Sequence, residues 1–356
     1  MPTSLYSRDD VRRRLDFADA LTVVERTYAE TARGRVLNPS KLTMHLGDDG
    51  EWPDRNAFAI DMPAYVDWLD AAGMKWAVAT WDAPTDDPIS SLLLLFDLDS
   101  GQFTAVMEGM YLTGVRTALQ SAVALKHLYP GTPSSVGVFG AGFQARFQVT
   151  VVDALLDVDG FRVFDVDATA AEDLAAELRS GVDADIEVCD DPREACRTDA
   201  VLTVTDSKTP VVEEAWLDDD AFVVALGTYR ELPDETILGA DHVVVDHREQ
   251  CLQRGALSDL ASRGNSPTTT STRPSARCWP RSTSARSAPT TAPSSSPSDS
   301  ARWTWLSPRR CGSARKRVRP RRSRSSDGSG IGVVDDLLVG VELVGLLAHL
   351  LVGLRG

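Results

Sequence analysis

Apolar and polar positions in the middle of the chain alternate between two periods. Stretches with apolar residues every three or four positions, the spacing of one helix face, are separated by short runs of consecutive apolar residues. Short apolar strands between helices are typical of βαβ units, in which a parallel sheet is covered on both faces. The predicted helices are residues 117–128, 144–156 and 170–178, and the predicted strands are residues 135–139, 162–165, 200–205, 221–226 and 242–245.

The chain before this region has a mixed pattern. Helical spacing covers residues 7–33, whereas residues 74–80 and 90–97 have the pattern of extended strands. Because 356 residues exceed the usual length of one domain, roughly 100–200 residues, we expect two domains. The predicted fold class is α/β, with an α+β domain at residues 1–111 and a parallel-sheet domain at residues 112–263.

Both patterns end in the last quarter of the chain. Residues 264–356 are rich in Ser, Thr, Pro and Arg and lack apolar periodicity over most of their length, so we predict a disordered tail. Its basic run at residues 315–324 can be interpreted as a nucleic-acid arm or as a solvated segment, and the second interpretation is favoured. The apolar stretch at residues 337–354 approaches membrane-spanning length, but Glu342 and His349 argue against a membrane helix.

Charge divides the chain at the same place. Residues 1–263 contain 22 basic and 47 acidic side chains, whereas residues 264–356 contain 15 basic and 5 acidic ones. The acidic surplus of the first part argues against nucleic-acid binding, which needs clustered Lys and Arg. It fits a halophilic host, because molar salt screens charge repulsion beyond roughly 3 Å. The first residues do not show the charged start and following apolar run of a signal peptide. We therefore expect a cytoplasmic protein.

Cysteine and histidine spacing gives no indication of a metal site. The 5 cysteines are odd in number and include no C-x-x-C pair, so we expect neither a disulfide framework nor zinc. The 5 histidines are scattered and lack the spacing of metal ligands. The sequence therefore predicts a protein without a bound metal.

A glycine-rich motif follows the predicted strand at residues 135–139. In GVFGAGFQARFQ, Gly140, Gly142 and Ala145 occupy the three positions of G-x-G-x-x-G/A. The first permits a tight turn, the second lets a pyrophosphate approach the backbone, and the third allows close packing of helix and strand. The alternative is a glycine-bearing turn without a ligand. The order of strand, loop, helix and strand favours a nucleotide site.

Two aspartates stand where a dinucleotide site needs an acid. Asp165 and Asp167 lie about 20 residues after Ala145, at the end of the next predicted strand. A carboxylate there hydrogen-bonds the ribose hydroxyls of NAD and repels the 2′-phosphate of NADP. The motif therefore predicts a Rossmann-type domain that binds NAD, with NADP less favoured. Either aspartate can instead be an ordinary carboxylate of an acid-rich surface.

Further sequence blocks occur in a fixed order around this motif. YLTGVRTALQSAVALKHL at residues 111–128 is similar to L-T-x-x-R-T-x-A-x-S-A-x-A, with Leu119 at the first Ala of the pattern, and GVFGAGFQARFQ has the form G-x-x-G-x-G-x-Q-A-R. Other blocks are DMPAYVDWLDAAGMKWA at residues 61–77 and DHVVVDHREQCLQRGAL at residues 241–257. Together they resemble the ornithine cyclodeaminase/mu-crystallin family, which includes archaeal alanine dehydrogenases and ketimine reductases. The resemblance covers about residues 5–260.

The resemblance implies roles for individual residues. The family's G-x-K lysine and R-T arginine contact the substrate carboxylate and the reacting centre, which makes Lys75 and Arg116 the expected catalytic and substrate-binding residues. Without the resemblance, both would be interpreted as surface charges. A third family residue, an arginine, is replaced by Lys41, which we expect at the substrate with a weaker carboxylate contact. The expected cofactor-binding residues are Gly140, Ala141, Gly142, Phe143, Gln144, Asp165, Asp167 and Thr205.

One departure from the family pattern affects the expected chemistry. Cyclodeaminases and archaeal alanine dehydrogenases have an Asp after the strand that ends in Gly, but here Thr228 and Tyr229 follow Gly227. Mu-crystallin-like ketimine reductases also lack this Asp, so the departure favours imine reduction or amino-acid dehydrogenation over cyclodeamination. The resemblance thus implies NAD(P)-dependent hydride transfer at the α-carbon of a small amino or imino acid, in a homodimer. The alternative is a mu-crystallin-like protein that binds nucleotide and a small ligand without turnover.

The family pattern also bears on the tail. Residues 297–306 (PSDSARWTWL), back-translated with G/C-rich third bases and read two nucleotides later, become VGLGALDVAL. The family's C-terminal motif has this form, a Gly-containing turn followed by Asp and Ala. Residues 270–280, treated likewise, give approximately VYATLGQVLA, which resembles another family block. We therefore expect residues 264–356 to be a frameshifted translation, in which neither the basic run nor the apolar stretch has a function.

Overall fold

The described part of the chain forms three sheets. The structure, a computed structural model, describes residues 3–47, 52, 55–82, 84, 89–246, 251–252, 257–264, 269–271 and 330–332. The elements before the long central helix are β1 (Ser4–Tyr6), α1 (Arg8–Arg14), α2 (Phe17–Ala32), β2 (Val36–Leu37), β3 (Leu42–Leu46), β4 (Ala57–Val66), β5 (Ala71–Thr80), β6 (Ile89–Asp97) and β7 (Gln102–Glu108). That helix and the elements after it are α3 (Met110–His127), β8 (Ser135–Phe139), α4 (Phe143–Leu155), β9 (Gly160–Phe164), α5 (Ala168–Leu178), β10 (Asp185–Val188), α6 (Pro192–Cys196), β11 (Ala200–Thr203), β12 (Phe222–Ala225), α7 (Asp234–Gly239), β13 (His242–Val245), α8 (Ser258–Ser262), β14 (Thr269–Ser271) and β15 (Gly330–Gly332).

Among the described residues, the helices that pack on the first sheet share one core with it. Its strand order is β1-β7-β6-β5-β4-β2, with β3 also paired to β4, and every pair except β1–β7 is antiparallel. Val24 of α2 and Leu112 of α3 share a core with Leu93 and Met107 of the sheet. The opposite face exposes Trp76 of β5, and its paired residue Leu92 of β6 is exposed as well. A sheet with apolar residues on both faces suggests a partner for the second face.

Helical spacing over residues 7–33 predicted one helix, but the structure has two. The interruption lies at Asp16, whose carboxylate accepts hydrogen bonds from the backbone N–H groups of Ala18 and Asp19 at 2.9 Å each. Asp is a favoured N-cap residue because its side chain satisfies N–H groups that the first helical turn leaves unpaired. The Asp16 cap therefore begins α2 anew.

Helix α3 begins seven residues earlier than the apolar pattern predicted. The Glu108 carboxylate accepts from the N–H groups of Met110 and Tyr111 at 2.8 and 3.2 Å, which stabilises the first turn. Most buried apolar residues of α3, such as Val115 and Leu119, belong to the core of the first sheet, while Leu125 joins the core of the second. The helix spans the predicted domain boundary between residues 111 and 112, and the division into two domains stays a prediction.

The second sheet is wholly parallel. Its order is β10-β9-β8-β11-β12, and α3, α4 and α5 supply apolar side chains to one of its cores. Helices thus alternate with strands as the pattern predicted, and the predicted α/β fold with a Rossmann-type domain is confirmed. The bounds of β8 and β13 agree with the prediction, and the other predicted strands differ by one to three residues at their ends. Of the strands in this sheet, β10 was not predicted.

Most of the predicted disordered, frameshifted tail at residues 264–356 lies outside the described residues. Two described segments of it, β14 and β15, pair in parallel with β13. These two three-residue strands are therefore regular structure within the region predicted to be disordered.

Gly114 brings α3 close to α4, and this contact yields the first prediction. A Cβ atom on Gly114 would lie 2.3 Å from ring carbons of Phe147. Gly114→Ala should therefore lower the free energy of unfolding by about 1–3 kcal/mol, as overpacking does. Urea unfolding measures the change. Gly239→Ala is the matched control, because Gly239 is also helical and a Cβ atom there would have no other atom within 4 Å. Equal stability of the two variants would contradict the prediction.

Candidate active site

The glycine loop after β8 has the backbone geometry that its motif predicts. Gly140 has a φ of +98°, a conformation that side-chain-bearing residues rarely adopt, and its N–H donates to the Phe164 carbonyl at 2.9 Å. A Cβ on Gly140 would meet the Val204 carbonyl oxygen at 3.0 Å and Thr205 Cγ2 at 3.1 Å. The loop therefore lies directly against the segment that follows β11.

Helix α4 begins at this loop and presents a free end. Gly142 is its N-cap residue, and no atom lies within 4 Å of where a Cβ would be. Phe143 and Gln144 form the first turn, and the buried Oε1 of Gln144 has no hydrogen-bond partner among the described residues. Open space beside unpaired helix N–H groups and a positive dipole end fits a pyrophosphate. The residues present thus fit the dinucleotide that the motif predicts.

The structure separates the two candidate ribose ligands. Asp165 follows β9, and its Oδ2 accepts from the N–H of Ala141 in the glycine loop at 2.7 Å. Asp167 is the N-cap of α5, where its Oδ1 accepts from the Thr169 N–H at 3.0 Å. A carboxylate offers about four acceptor positions, so Asp165 retains capacity for ribose hydroxyls. Asp165 Oδ1 also accepts from the Asp167 N–H at 2.9 Å, which leaves about two acceptor positions. The contact with the glycine loop favours Asp165 as the ribose ligand, which stays a prediction, whereas Asp167 caps α5.

Lys75 of the first sheet contacts the helix that carries Arg116. Lys75 on β5 is only 3% exposed, and its Nζ donates to Thr113 Oγ1 on α3 at 3.0 Å. Arg116, 1% exposed, is three residues further along α3. Side chains three apart share one helix face, with Cβ atoms about 5–6 Å apart. The structure therefore places both predicted catalytic residues on adjoining surfaces, with Thr113 as a link that the sequence reasoning did not single out.

Lys41 stands one residue before β3, at the edge of the same surface. Leu42 pairs with Asp61 of β4, and the neighbouring Met62 pairs with Lys75. If the register continues by one residue, Lys41 lies level with Lys75 across β4, at about 10 Å, or two strand spacings. This register supports a place for Lys41 beside the substrate, which stays a prediction.

Thr205 is anchored by an acid that the sequence reasoning missed. Its N–H and Oγ1 donate to Glu231 Oε1 at 2.6 and 2.8 Å. Burial raises the pKa of Glu231, and the hydrogen bonds that it accepts oppose this effect. The available signal was a glutamate next to buried apolar residues in RELP, shortly after a strand. Recognition of its role required the fold.

The loop after β12 carries the departure from the family pattern. Tyr229 is exposed, and Lys208 Nζ lies 5.5 Å from the centroid of its ring. Both residues follow strands at the carboxyl edge of the parallel sheet, β12 and β11 respectively. Ligands of open α/β sheets bind at this edge. Tyr229 therefore occupies a region in which the family's Asp would have been expected.

The remaining titratable clusters offer little chemistry. Burial raises the pKa of the Cys189 thiol to about 11 and that of Cys196 to about 12, which keeps both protonated and poor as nucleophiles. Within the described ranges, no group of His, Cys, Asp and Glu is arranged to hold a metal ion. No helix of the described residues has the length and apolar character needed to cross a membrane.

Comparison with known proteins places the fold. An alanine dehydrogenase of Archaeoglobus fulgidus is 28% identical over 271 residues, which is 74% of this chain and 80% of the relative. The structure of Thermococcus litoralis Delta(1)-pyrroline-2-carboxylate reductase with NADH and L-proline has a TM-score of 0.74 at 20% identity, covering 98% of each chain. An archaeal alanine dehydrogenase dimer with bound NAD has a TM-score of 0.76 at 21% identity, covering 100% of this chain and 98% of the other. At these identities the two structures establish the shared fold.

A sequence model of one family matches most of the chain. The match runs over residues 1–268, so it includes the glycine loop, Lys75 and Arg116. It also agrees with the resemblance that the sequence blocks indicated. The chain therefore belongs to the ornithine cyclodeaminase/mu-crystallin family.

Proposed function

We propose that this protein is an NAD-dependent oxidoreductase that transfers hydride between the nicotinamide and the α-carbon of a small amino or imino acid. The observation that carries the proposal is the contact between Lys75 and the face of α3 that bears Arg116. A buried ammonium and a buried guanidinium are groups suited to binding a substrate carboxylate. NAD, when bound, supplies or accepts the hydride.

The chain's own residues would bind and orient the substrate. The Arg116 guanidinium is suited to a bidentate contact with the carboxylate, which fixes the plane of the α-carbon. The Lys75 ammonium, held by Thr113, can donate a proton to the imine nitrogen or stabilise charge there. Burial of both side chains keeps water away from the reacting centre and strengthens their electrostatic contacts.

The proposed substrate class rests on the carboxylate that Arg116 is proposed to bind and on the proteins that this chain resembles. An alanine dehydrogenase and a pyrroline-2-carboxylate reductase are among the proteins that this chain resembles. The absence of an Asp directly after Gly227 favours imine reduction over cyclodeamination. A cyclic imine carboxylate or a small L-amino acid is therefore the proposed substrate.

A substrate panel tests this function. NADH oxidation is followed with pyrroline-2-carboxylate and piperideine-2-carboxylate, and NAD reduction is followed with L-alanine. Turnover of at least one of them supports the proposal, and the unsubstituted cyclic imine serves as the control that lacks the carboxylate. Tight NADH binding without turnover of any carboxylated compound would instead support the alternative, a mu-crystallin-like binding protein.

The proposed homodimer would form through the exposed face of the first sheet. Trp76 is 46% exposed, and Leu92 and Val78 lie on the same face. Exposed apolar faces of this kind mark interaction sites. One of the structural relatives is itself a dimer.

We also propose a halophilic, cytoplasmic setting and a frameshift. The acidic surplus of residues 1–263 supports the halophilic setting.

The family match ends at residue 268, close to the break in composition, which supports the frameshift. Resequencing the gene across the codons for residues 262–266 tests the frameshift: an intact reading frame there would refute it. Activity that falls as salt is raised would contradict the halophilic setting.

Cofactor preference yields a prediction at Val166. This residue follows Asp165 and is 96% exposed, so a longer side chain fits without repacking. Val166→Arg should raise the ratio of kcat/KM for NADPH over NADH by about 10-fold to 100-fold, because a guanidinium would pair with the 2′-phosphate. Val166→Gln, similar in length but uncharged, is the control. A wild-type enzyme that already prefers NADPH would refute the proposed role of Asp165.

Loss of either buried cation should abolish most turnover. Arg116→Ala and Lys75→Ala are each expected to lower kcat/KM by about 30-fold to 1000-fold, because a charge-assisted carboxylate contact is lost. NADH binding, measured by fluorescence titration, should change little. Arg13→Ala removes an exposed ion pair with Asp10 and is the control. Near-wild-type kcat/KM in either variant would remove that residue from the site.

The dimer proposal predicts the effect of a charge on the exposed sheet face. Trp76→Asp would bury a carboxylate in each half of the interface, so the dimer should dissociate at protein concentrations at which the wild type is dimeric. Sedimentation velocity measures the shift. Leu238→Asp alters an exposed leucine of α7 and should leave the assembly unchanged. A monomeric wild type, or an unchanged Trp76→Asp dimer, would contradict the proposal.

A further inference from the structure

Glu231 is a buried carboxylate with an unusually complete set of donors. It is 1% exposed, and four groups donate to it. Its Oε1 accepts from the N–H and the hydroxyl of Thr205 at 2.6 and 2.8 Å. Its Oε2 accepts from the hydroxyl of Thr203 and from the N–H of Gly227, both at 2.7 Å. Such a set suits an ionised carboxylate, whose oxygens accept only.

These donors come from two neighbouring strands of the parallel sheet. Thr203 ends β11 and Thr205 follows it, while Gly227 follows β12, which pairs with β11. Glu231 thus joins the two segments at the carboxyl edge of the sheet, the edge at which open α/β folds bind their ligands. Its own carbonyl accepts from the Val211 N–H at 2.8 Å, which ties a third segment to it.

The joined segments lie against the glycine loop. The point where a Cβ of Gly140 would stand is 3.1 Å from Thr205 Cγ2 and 3.0 Å from the Val204 carbonyl oxygen. A displacement of Thr205 would therefore change the position of the glycine loop, which fits the pyrophosphate. Gly227 is constrained in the same way, because a Cβ there would lie 2.4 Å from Cδ of Glu231.

We propose that Glu231 is a positioning residue for the dinucleotide. It holds Thr205 and Gly227 in place so that the edge of the sheet beside the glycine loop has the shape that the bound cofactor needs. The inference rests on the proposed function, because it assumes that the site binds NAD(H). Glu231 itself is fully enclosed by protein groups, so it acts through Thr205 and Gly227 and not by touching the substrate.

Replacement of Glu231 by glutamine removes the charge and one acceptor oxygen of the side chain but keeps its size. The Glu231→Gln amide keeps one acceptor oxygen but presents an NH₂ group to two donors, either those of Thr205 or those of Thr203 and Gly227. At least one partly buried backbone N–H would then lose its acceptor, which favours a shift of the segment. Thr205→Val removes one of the same hydrogen bonds from the other side, and Thr205→Ser retains it.

The test is NADH affinity, measured by fluorescence titration on the full chain. Glu231→Gln should weaken NADH binding by about 10-fold to 100-fold. Thr205→Val should weaken NADH binding less than Glu231→Gln does, and Thr205→Ser should bind NADH as the wild type does. The Glu231→Gln/Thr205→Val double variant should bind NADH no more weakly than Glu231→Gln alone. Glu235→Gln, at an exposed glutamate of α7, is the matched control and should bind as the wild type does.

The outcomes distinguish this inference from the proposed function. A lower unfolding temperature of Glu231→Gln with unchanged NADH affinity would make Glu231 a purely structural residue and overturn the inference alone. If Glu231→Gln does not fold, Thr205→Val decides: wild-type NADH affinity in that variant overturns the inference. Failure of the wild-type chain to bind NADH would overturn the proposed function, and the inference with it.

Discussion

Helix α3 is a member of two cores at once, and this shared packing determines the geometry of the candidate site. Its side chains bury against the first sheet over most of its length and against the second sheet in its last turn. The same helix carries Arg116 and accepts Lys75 of β5 through Thr113. Close approach to α4 at Gly114 then joins this helix to the one that begins at the glycine loop. The two candidate substrate-binding cations and the glycine loop are thus connected to one helix.

Much of this arrangement was readable in the sequence. The alternation of periods predicted the parallel sheet, because buried strands and one-sided helices impose different apolar spacings. The glycine motif predicted the loop at Gly140 with its positive φ, since few other residues adopt that conformation. The start of α3 was not predicted, because it depends on the Glu108 carboxylate as a cap and on Gly114 packing beneath Phe147.

The features that could not be predicted from the sequence depend on contacts between distant segments. Asp165 and Asp167 are equivalent by spacing, and only the fold shows that one bonds the glycine loop while the other caps a helix. Glu231 lies 26 residues from Thr205, and nothing local indicates that its carboxylate joins the ends of two strands. A family resemblance assigned Lys75 and Arg116 to one site, and the hydrogen bond from Lys75 to Thr113 connects Lys75 to the helix that carries Arg116.

Lys75 and Arg116 are proposed to hold a substrate carboxylate together, beside the nicotinamide. The most direct measurement compares two planar ligands that differ only in this group, pyrrole-2-carboxylate and pyrrole-2-carboxamide, by titration into the NADH complex. The carboxylate should bind at least about tenfold more tightly than the amide to the wild type, and this preference should be largely lost in Arg116→Ala. Equal binding of the two ligands to the wild type would contradict the claim.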